Sequence, residues 1–343
     1  MVDFLRAREG DLIKTKSSVI FDVKGVVHPP DKIIAFPRYI PSLEGKRREM
    51  GNSYAKVYNL NERFEYLKKV APSLIVFDHV FGEALCEVPR KAVTKHYMPV
   101  QKLSELRKTE ELSDLEQKAV LLAELLRKVA VIPWESIGVS GSIMAGLFTT
   151  QSDIDPIVYG AENCRRVYAA LESMLEDESS LFKRYTQNEL QVLFEFRSKD
   201  TLMSFEDFGN VEGRKAFQGK FEGVDFFVRF VKDWDEICEE YGDLCYNNVG
   251  YAKLTGIIAD DSEALFTPCA YKLKNVKVLE GKRVDRICEV VSFRGRFCKQ
   301  AKTGEKIVAQ GKVEHVKDNR GDNEFHRLIL GNMPQDYMAL SHR

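Results

Sequence analysis

Two aspartates stand one residue apart in the stretch Ser-Asp-Ile-Asp-Pro at residues 152–156, directly before an apolar segment. In a strand, residues two apart point to the same face, so Asp153 and Asp155 are expected to present their carboxylates side by side. Adjacent like charges cost free energy unless a positive group compensates them. Mg²⁺ or Mn²⁺ would do so, because hard cations prefer carboxylate oxygens and keep phosphates as further ligands. In the simpler alternative, both acids face solvent at an exposed strand edge.

A Gly-Ser pair, Gly141 and Ser142, stands about ten residues before the aspartates, between a short apolar segment and a predicted short helix. Glycine permits close backbone approach, and the first N–H groups of a helix have no partner within the helix. Such a turn suits an anion, and a triphosphate would fit next to Asp153. The pair is equally compatible with an ordinary helix N-cap.

A third acid, Asp225, lies within the long β-forming run at residues 221–232. A carboxylate in such a run needs a partner, because an unpaired buried charge is expensive. Arg229, four residues along on the same face, is one candidate partner, in which case Asp225 has a purely structural role. The other interpretation is that Asp225 completes a cluster of three carboxylates with Asp153 and Asp155.

These residues resemble the nucleotidyltransferase superfamily of DNA polymerase β, CCA-adding enzymes, poly(A) polymerases and aminoglycoside nucleotidyltransferases. The shared pattern is an apolar strand, Gly-Ser, about ten residues, an acid-apolar-acid strand, and later a third acid among hydrophobic residues. Gly141 and Ser142, the pair Asp153 and Asp155, and Asp225 match it over residues 113–232. The flanking regions resemble only archaeal proteins described as predicted nucleotidyltransferases.

The resemblance implies transfer of a nucleoside monophosphate from an NTP to a hydroxyl, with release of pyrophosphate. Its catalytic and metal-binding residues would be Asp153, Asp155 and Asp225, with Mg²⁺ or Mn²⁺ as cofactor. Its phosphate-binding residues would be Ser140, Gly141 and Ser142 with Arg229, or Lys232 in place of Arg229. Pro156 departs from the pattern, since relatives usually carry an aliphatic residue there, and it predicts an edge strand or a bulge.

The elements around these residues predict a mixed α+β fold in three parts. Residues 1–105 are expected to form a β-rich domain, in which two β-forming runs at 17–28 and 32–40 are separated by prolines. Residues 106–244 would be the nucleotidyltransferase core with a short mixed sheet. It begins at a helix with a capping box at Ser113 and Glu116 and an apolar stripe that ends at Val129. Five predicted strands in residues 245–343 suit a small OB-like barrel.

Composition predicts a soluble, cytoplasmic protein of 343 residues, because no apolar run is long enough to span a membrane and no signal peptide is apparent. The seven cysteines are scattered and are expected to be reduced thiols. The net charge of −1 hides an acidic centre, −11 over 106–244, between two flanks of +5 each. The basic flanks suit a polyanion, which makes nucleic acid a candidate acceptor.

Two further features allow nucleic-acid binding but have simpler explanations. The segment SFRGRFCKQ at residues 292–300 mixes aromatic and basic residues, as single-strand-binding barrels do, yet a two-faced barrel strand gives the same pattern. Trp134 and Trp234 are better explained as core or interface residues than as platforms for bases.

Three hypotheses follow from the sequence. The first is an NTP-dependent nucleotidyltransferase whose acceptor is RNA, a protein side chain or a small molecule. The second is a catalytically silent module that keeps the fold and binds nucleic acid or a protein partner, a hypothesis that Pro156 motivates. The third is a purely structural subunit.

Overall fold

The computed structural model describes residues 5–49, 51–199, 203–321 and 323–341. The fold is mixed α+β, as predicted. The residues form two units by contact: unit 1 contains 1–76, 85–184 and 216–238, and unit 2 contains 77–84, 185–215 and 239–343. The predicted boundaries near residues 105 and 244 divide the chain differently, and the three-domain division stays a prediction.

Eight short strands of the N-terminal region make one sheet. They are β1 (Leu12–Thr15), β2 (Ile20–Val23), β3 (Lys32–Pro41), β4 (Arg47–Glu49), β5 (Asn52–Lys56), β6 (Ile75–Asp78), β7 (Glu83–Pro89) and β8 (Val93–Tyr97). The order is β4-β5-β3-β2-β1-β8, with β7 also pairing β3 and β6 pairing β7. The prediction of two β-forming runs is confirmed, because β2 and β3 pair antiparallel, with Ile20 opposite Tyr39.

Five helices belong to unit 1. They are α1 (Leu60–Val70), α2 (Pro99–Leu106), α3 (Asp114–Ala130), α4 (Gly141–Ala145) and α5 (Ala161–Glu176). The predicted capping box is confirmed: the Ser113 hydroxyl accepts from the Glu116 N–H, and the Glu116 carboxylate accepts from the Ser113 N–H. The predicted apolar stripe of α3 is buried at Leu122 and Leu126. The predicted burial is wrong at Val129, which is half exposed next to the helix end.

A three-stranded sheet at the centre of unit 1 carries the predicted chemistry. Its order is β14 (Arg229–Val231), β10 (Pro156–Tyr159), β9 (Ile137–Val139), so β10 is the middle strand. The expectation that Pro156 marks an edge strand or a bulge is therefore wrong. Pro156 opens β10 opposite Val139, and the first residue of a strand is a position where proline is tolerated.

The β-forming run at residues 221–232 is divided rather than continuous. It contributes to β12 (Gln218–Phe221), β13 (Val224–Phe227) and β14, and β12 pairs with both β13 and β11 (Phe182–Lys183). Glu222 and Gly223, with φ of 45° and 80°, form the turn between β12 and β13. Positive φ at both central residues is the signature of a tight hairpin turn, so this Glu-Gly pair reverses the chain.

The described part of unit 2 contains two α-helices and six strands. They are α6 (Gln187–Arg197), α7 (Phe205–Glu212), β15 (Leu244–Asp260), β16 (Cys269–Gly281), β17 (Ile287–Ser292), β18 (Lys306–Asp318), β19 (Asn323–Leu330) and β20 (Tyr337–Leu340). The five predicted strands are confirmed, and β20 is an addition. They pair in the order β15-β16-β17-β19-β18, and β15 also pairs with β18, so the pairing closes on itself. The segment at 292–300 leaves the sheet after Ser292 and buries Phe297, so the strand interpretation of this segment is wrong.

The described residues hold no helix with both the length and the apolar composition needed to cross a bilayer. All seven cysteines are free thiols, as predicted.

Candidate functional site

The two aspartates lie at the entrance of β10. Ile154, between them, forms a parallel bridge with Phe226: its N–H donates to the Asp225 carbonyl at 2.9 Å, and its own carbonyl accepts from the Phe227 N–H at 3.0 Å. Ile154 and Phe226 are both buried. Alternation along a strand places Asp153 and Asp155 on the opposite face from Ile154, and the charge of Asp153 acts on Asp155.

The Gly-Ser turn contacts Asp155 directly. Gly141 has φ of 63°, and a Cβ at this position would lie 1.9 Å from Asp155 Oδ2. The Ser140 N–H donates to the Asp155 carbonyl at 2.8 Å, next to the pairing of Pro156 with Val139. Glycine is required here for two reasons, its left-handed backbone and the carboxylate that occupies the space of a side chain. The structure thus brings together the Gly-Ser turn and the acid pair.

The two serines of this turn differ in what they contact. The Ser140 hydroxyl donates to the Gly10 carbonyl at 2.6 Å, so it fixes the N-terminal segment. The Ser142 side chain is buried, and its hydroxyl has no hydrogen-bond partner among the described residues. A buried hydroxyl without a partner costs free energy. Ser142 is therefore the member of the turn whose hydroxyl is not already engaged by another described residue.

Asp225 is aligned with Asp153 but is engaged elsewhere. The bridge between Ile154 and Phe226 places Asp225 beside Asp153 on the adjacent strand. Its carboxylate is about half exposed and lies 3.0 Å from Lys220 Nζ across the hairpin. No group of three or more His, Cys, Asp or Glu side chains within the described ranges could hold a metal ion. The structure brings Asp153 and Asp155 together and leaves Asp225 paired with a lysine.

Arg229 is not the partner of Asp225. Its guanidinium donates to the buried carboxylate of Glu9, which also accepts from Lys24 Nζ at 3.2 Å and from the Gly25 N–H at 2.8 Å. The predicted structural pair of Asp225 and Arg229 is therefore wrong. The sequence reasoning missed Glu9, which lies 220 residues from Arg229.

The carboxyl group of Asp155 has an unusual protonation equilibrium. Burial, and next the negative charge of Asp153, raise the pKa of Asp155 to about 6, against the opposing charges of Lys56, Arg229 and Arg38. A raised carboxyl pKa means that the ionised form lacks full compensation in this environment. A divalent cation between Asp153 and Asp155 would supply that compensation, so these two carboxylates are the candidate ligands of a metal ion.

Cations from the N-terminal sheet act on the acid pair. Arg38 on β3 and Lys56 on β5 both lower the pKa of Asp155 through their charge. Asp22 on β2 lies among some of the same cations. Burial opposes ionisation of its carboxyl group. The pKa of Asp22 is nevertheless held below the usual range by the charges of Lys24, Arg63, Arg229 and Arg38. Of these cations, the sequence identified only Arg229 as a site residue. Alternation along β3 and β5 gave no sign that one face of the sheet meets the Gly-Ser turn.

Tyr39 connects the N-terminal sheet to the turn. It is fully buried in one cluster with Met144 and Ala145 of α4. Burial raises the pKa of its hydroxyl, and the charges of Asp155 and Asp153 raise it further. The hydroxyl has no hydrogen-bond partner within the described residues. Tyr39 is therefore a second neutral donor close to the acid pair.

The far end of β10 is quite different from the acid end. Tyr159, its last residue, contributes to a pocket of about 550 Å³ that is also lined by Trp134, Trp234, Arg8 and Arg107. The Arg8 guanidinium lies 3.5 Å from the Tyr159 ring centroid, and Arg107 lies 3.4 Å from that of Trp134. Trp134 and Trp234 are partly exposed rather than core residues. We call this the aromatic pocket.

Comparison with known proteins yields one informative relative. The chain is 32% identical over 336 residues to "Uncharacterized protein MJ1086" of Methanocaldococcus jannaschii, and the likeness covers 95% of this chain and 96% of the relative. No protein-family model and no solved structure matches the chain.

Proposed function

The chain belongs to the same family as the M. jannaschii protein MJ1086, and we propose that it is a metal-dependent nucleotidyltransferase. It would transfer a nucleoside monophosphate from an NTP to a hydroxyl acceptor and release pyrophosphate. The observation that supports this proposal most is the packing of the Asp155 carboxylate against Gly141, beside Asp153. It joins the two halves of the sequence pattern in one place.

Within the mixed α+β fold we propose a nucleotidyltransferase-like core in unit 1 and an OB-like barrel in unit 2. The sheet of β9, β10 and β14, with the Gly-Ser turn between β9 and β10 and a bridge to β13, supports a nucleotidyltransferase-like core. In unit 2, the closed pairing of β15 to β19 supports an OB-like barrel.

Asp153 and Asp155 would hold Mg²⁺ or Mn²⁺. When bound, such an ion neutralises phosphate charge and acidifies a hydroxyl. The chain itself supplies the rest of the charge balance: Arg38, Lys56 and Arg229 all act on Asp155, and they would offset the charge of a triphosphate next to it.

The turn would bind phosphate oxygens. Gly141 leaves no side chain between the backbone and Asp155, and the Ser142 hydroxyl has no partner among the described residues. In the reaction, an acceptor oxygen attacks the α-phosphorus, the bond to the bridging oxygen breaks, and pyrophosphate leaves with the electron pair of that bond. Asp225 would accept the proton of the acceptor hydroxyl only after its carboxylate separates from Lys220.

The proposal is tested by calorimetric titration of each of the four NTPs with Mg²⁺ into the wild type and an Asp153→Asn, Asp155→Asn variant. The control replaces two exposed acids outside the site, Glu110→Gln and Glu111→Gln, and removes the same charge. Metal-dependent binding in the wild type and the control, lost in the site variant, is the expected result. Equal binding in all three proteins would overturn the assignment of the metal site.

The silent module remains a second candidate because of Asp225. Its carboxylate is paired with Lys220, and within the described residues no three-carboxylate group is assembled. A silent module would show no metal-dependent NTP binding in the same titration, and an Asp225→Asn variant would behave as wild type. Transfer of a labelled nucleotide to any acceptor, lost in Asp225→Asn, would exclude it.

A further inference from the structure

The aromatic pocket holds arginines that are fixed in place by aromatic rings. Arg6 lies 4.2 Å from the Trp234 ring centroid, and Arg107 lies 3.4 Å from that of Trp134. A guanidinium stacked on a ring is stabilised through its flat face and keeps its N–H donors at the edge. Stacking therefore orients these groups without using their hydrogen bonds.

The donors of Arg6 and Arg107 are available. Both residues are exposed, and neither forms an ion pair with a carboxylate of the described residues. Arg8 differs, because it binds Asp233 at 2.8 Å and lies over Tyr159. Arg8 is thus a structural member of the pocket, whereas Arg6 and Arg107 lack an anion among the described residues.

The acids near the pocket do not supply that anion. Asp11 lines the pocket, but its carboxylate accepts from the Arg8 N–H at 3.1 Å and lies 2.8 Å from His96 Nε2. Glu135 is the other acid in the lining and is exposed. With Arg8 and Asp11 both engaged, Arg6 and Arg107 outnumber the one remaining carboxylate of the lining, and this balance favours an anionic ligand.

The shape and lining favour a nucleotide unit over a bare anion. A volume of about 550 Å³ lies within the ordinary range for small-ligand pockets. Two indoles and a phenol line it, and aromatic rings together with arginine planes are what proteins use to stack nucleobases. Arginine edges in addition to aromatic faces match a phosphate and the base attached to it.

The pocket lies on the same strand as the acid pair. Side chains at 153, 155, 157 and 159 share one face of the strand by alternation, and Tyr159 is about 13 Å along the strand from Asp155. Ile157 between them is covered by Gly10, whose added Cβ would lie 2.2 Å from the Ile157 side chain. A flexible polymer would bridge this distance, whereas a mononucleotide in the pocket would not reach the acids.

We propose that the aromatic pocket binds the phosphate and base of a single-stranded RNA through Arg6 and Arg107. Its use as the binding site for an acceptor strand rests on the proposed nucleotidyltransferase function. The binding itself does not, because it needs neither metal nor NTP.

Intrinsic fluorescence tests the proposal locally, since the two tryptophans of the chain both line this pocket. A 5′-phosphorylated hexauridylate is titrated in the presence of EDTA into the wild type and an Arg6→Gln, Arg107→Gln variant. The control, Lys91→Gln and Lys108→Gln, removes the same charge from exposed positions outside the lining. Circular dichroism verifies that each variant is folded.

The expected result is a change in tryptophan emission on RNA binding and at least about tenfold weaker binding in the arginine variant. Its dependence on salt should also fall by about 1.4 in logarithmic slope, as expected for two lost single-strand phosphate contacts. The lysine control should stay within about twofold of wild type.

Three outcomes would overturn the proposal. The first is no emission change on adding RNA, and the second is equal weakening in the lysine control, which would indicate general charge attraction. The third is binding of inorganic phosphate or uridine monophosphate as tight as that of the hexamer, which would indicate a small-anion site. RNA binding is measured in EDTA and without NTP, so a failed metal site leaves this result unaffected and the two failures are distinguished.

Discussion

The two ends of strand β10 compensate charge in opposite ways. At its entrance, two carboxylates lie together, and the cations that offset them come from the N-terminal sheet and from β14. At its exit, arginines are held against aromatic rings, and two of them have no anion among the described residues. The acid end is thus short of positive charge and the aromatic end is short of negative charge. A ligand that carries both metal-bound phosphates and a phosphodiester chain would complement the two ends.

The largest expected effect comes from adding a single methyl group at Gly141, which should impair the acid end of β10 and leave the aromatic end unchanged. In Gly141→Ala the new Cβ would meet the Asp155 carboxylate at 1.9 Å, so the carboxylate must move away from its place beside Asp153. We expect metal-dependent NTP binding to weaken by at least about 100-fold, while RNA binding at the aromatic pocket is unchanged. Calorimetry and tryptophan fluorescence measure the two activities.

Gly146→Ala is the matched control for this variant. Gly146 ends the same short helix with φ of 69°, and nothing lies within 4 Å of an added Cβ. Both substitutions should therefore cost about 1–2 kcal/mol in backbone strain, but only the change at 141 should affect NTP binding. Loss of NTP binding in both variants would show that strain in α4, rather than displacement of Asp155, is responsible.

The second prediction is that the two ends contribute to stability with opposite dependence on pH. His28 contacts the segment that carries the arginines of the aromatic end. Its Nε2 lies 2.9 Å from the carbonyl of Ala7, the residue between Arg6 and Arg8 in the sequence, and its Nδ1 accepts from the Ile34 N–H at 3.3 Å. Burial lowers the pKa of His28 to about 4. The unfolded chain therefore binds more protons between pH 6.5 and 4, so this term weakens the fold as the pH falls. The pKa of Asp155 is raised to about 6 in the fold, so at this residue the folded chain binds more protons and the fold is stabilised as the pH falls.

From about pH 7 to about pH 5, we expect His28 to lower the free energy of unfolding by about 2 kcal/mol and Asp155 to raise it by about 1 kcal/mol. His28→Gln should therefore lose less stability than wild type on acidification, and Asp155→Asn should lose more. Urea unfolding of the three proteins at both pH values measures these differences. If the free energy of unfolding changes equally with pH in all three proteins, the opposite contributions of His28 and Asp155 are refuted.

The third prediction concerns the buried ion pair between the two ends. Arg229→Met leaves Glu9 buried with Lys24 and the Gly25 N–H as its remaining partners. Removal of one member of a buried pair is strongly destabilising, and the remaining partners reduce the cost to about 1–2 kcal/mol. Thermal unfolding measures the loss. The double variant Glu9→Gln, Arg229→Met should recover part of it, and no recovery would mean that the two residues act independently.

The smallest effect is expected at Lys220. Its pair with Asp225 is partly exposed, so Lys220→Gln should change stability by less than about 0.5 kcal/mol. Metal affinity should rise, because the Asp225 carboxylate becomes available beside Asp153. An unchanged metal affinity in calorimetric titration would indicate that Asp225 is not a ligand, and that the acid end consists of two carboxylates only.

The sequence predicted the local parts of the acid end and missed its distant parts. The positions of Asp153 and Asp155 follow from the period of a strand, and the role of Gly141 follows from its freedom at positive φ. Arg38, Lys56 and Glu9 lie about a hundred residues or more from the acids, and their approach depends on how the N-terminal sheet packs on α4. Propensity and periodicity describe neighbours along the chain and carry no information on such packing.

The sequence reasoning also missed a hairpin and the aromatic pocket, for different reasons. The hairpin at Glu222 and Gly223 was signalled by a glycine inside a β-forming run, which a strict strand interpretation overlooked. The aromatic pocket had no local signal, because Trp134 and Trp234 are a hundred residues apart and each alone is typical of a core. Only the fold shows that both rings hold arginines.

The N-terminal segment around Arg8, Glu9 and Gly10 contacts three different parts of the central sheet with three consecutive residues. Arg8 binds Asp233 at the aromatic end, Glu9 binds Arg229, and the Gly10 carbonyl accepts from Ser140 in the Gly-Ser turn. Deleting one residue here would place an arginine where Glu9 now meets Arg229 and a side chain where only Gly10 fits. Insertions and deletions at this position should therefore be far less tolerated during evolution than substitutions at the exposed Lys16.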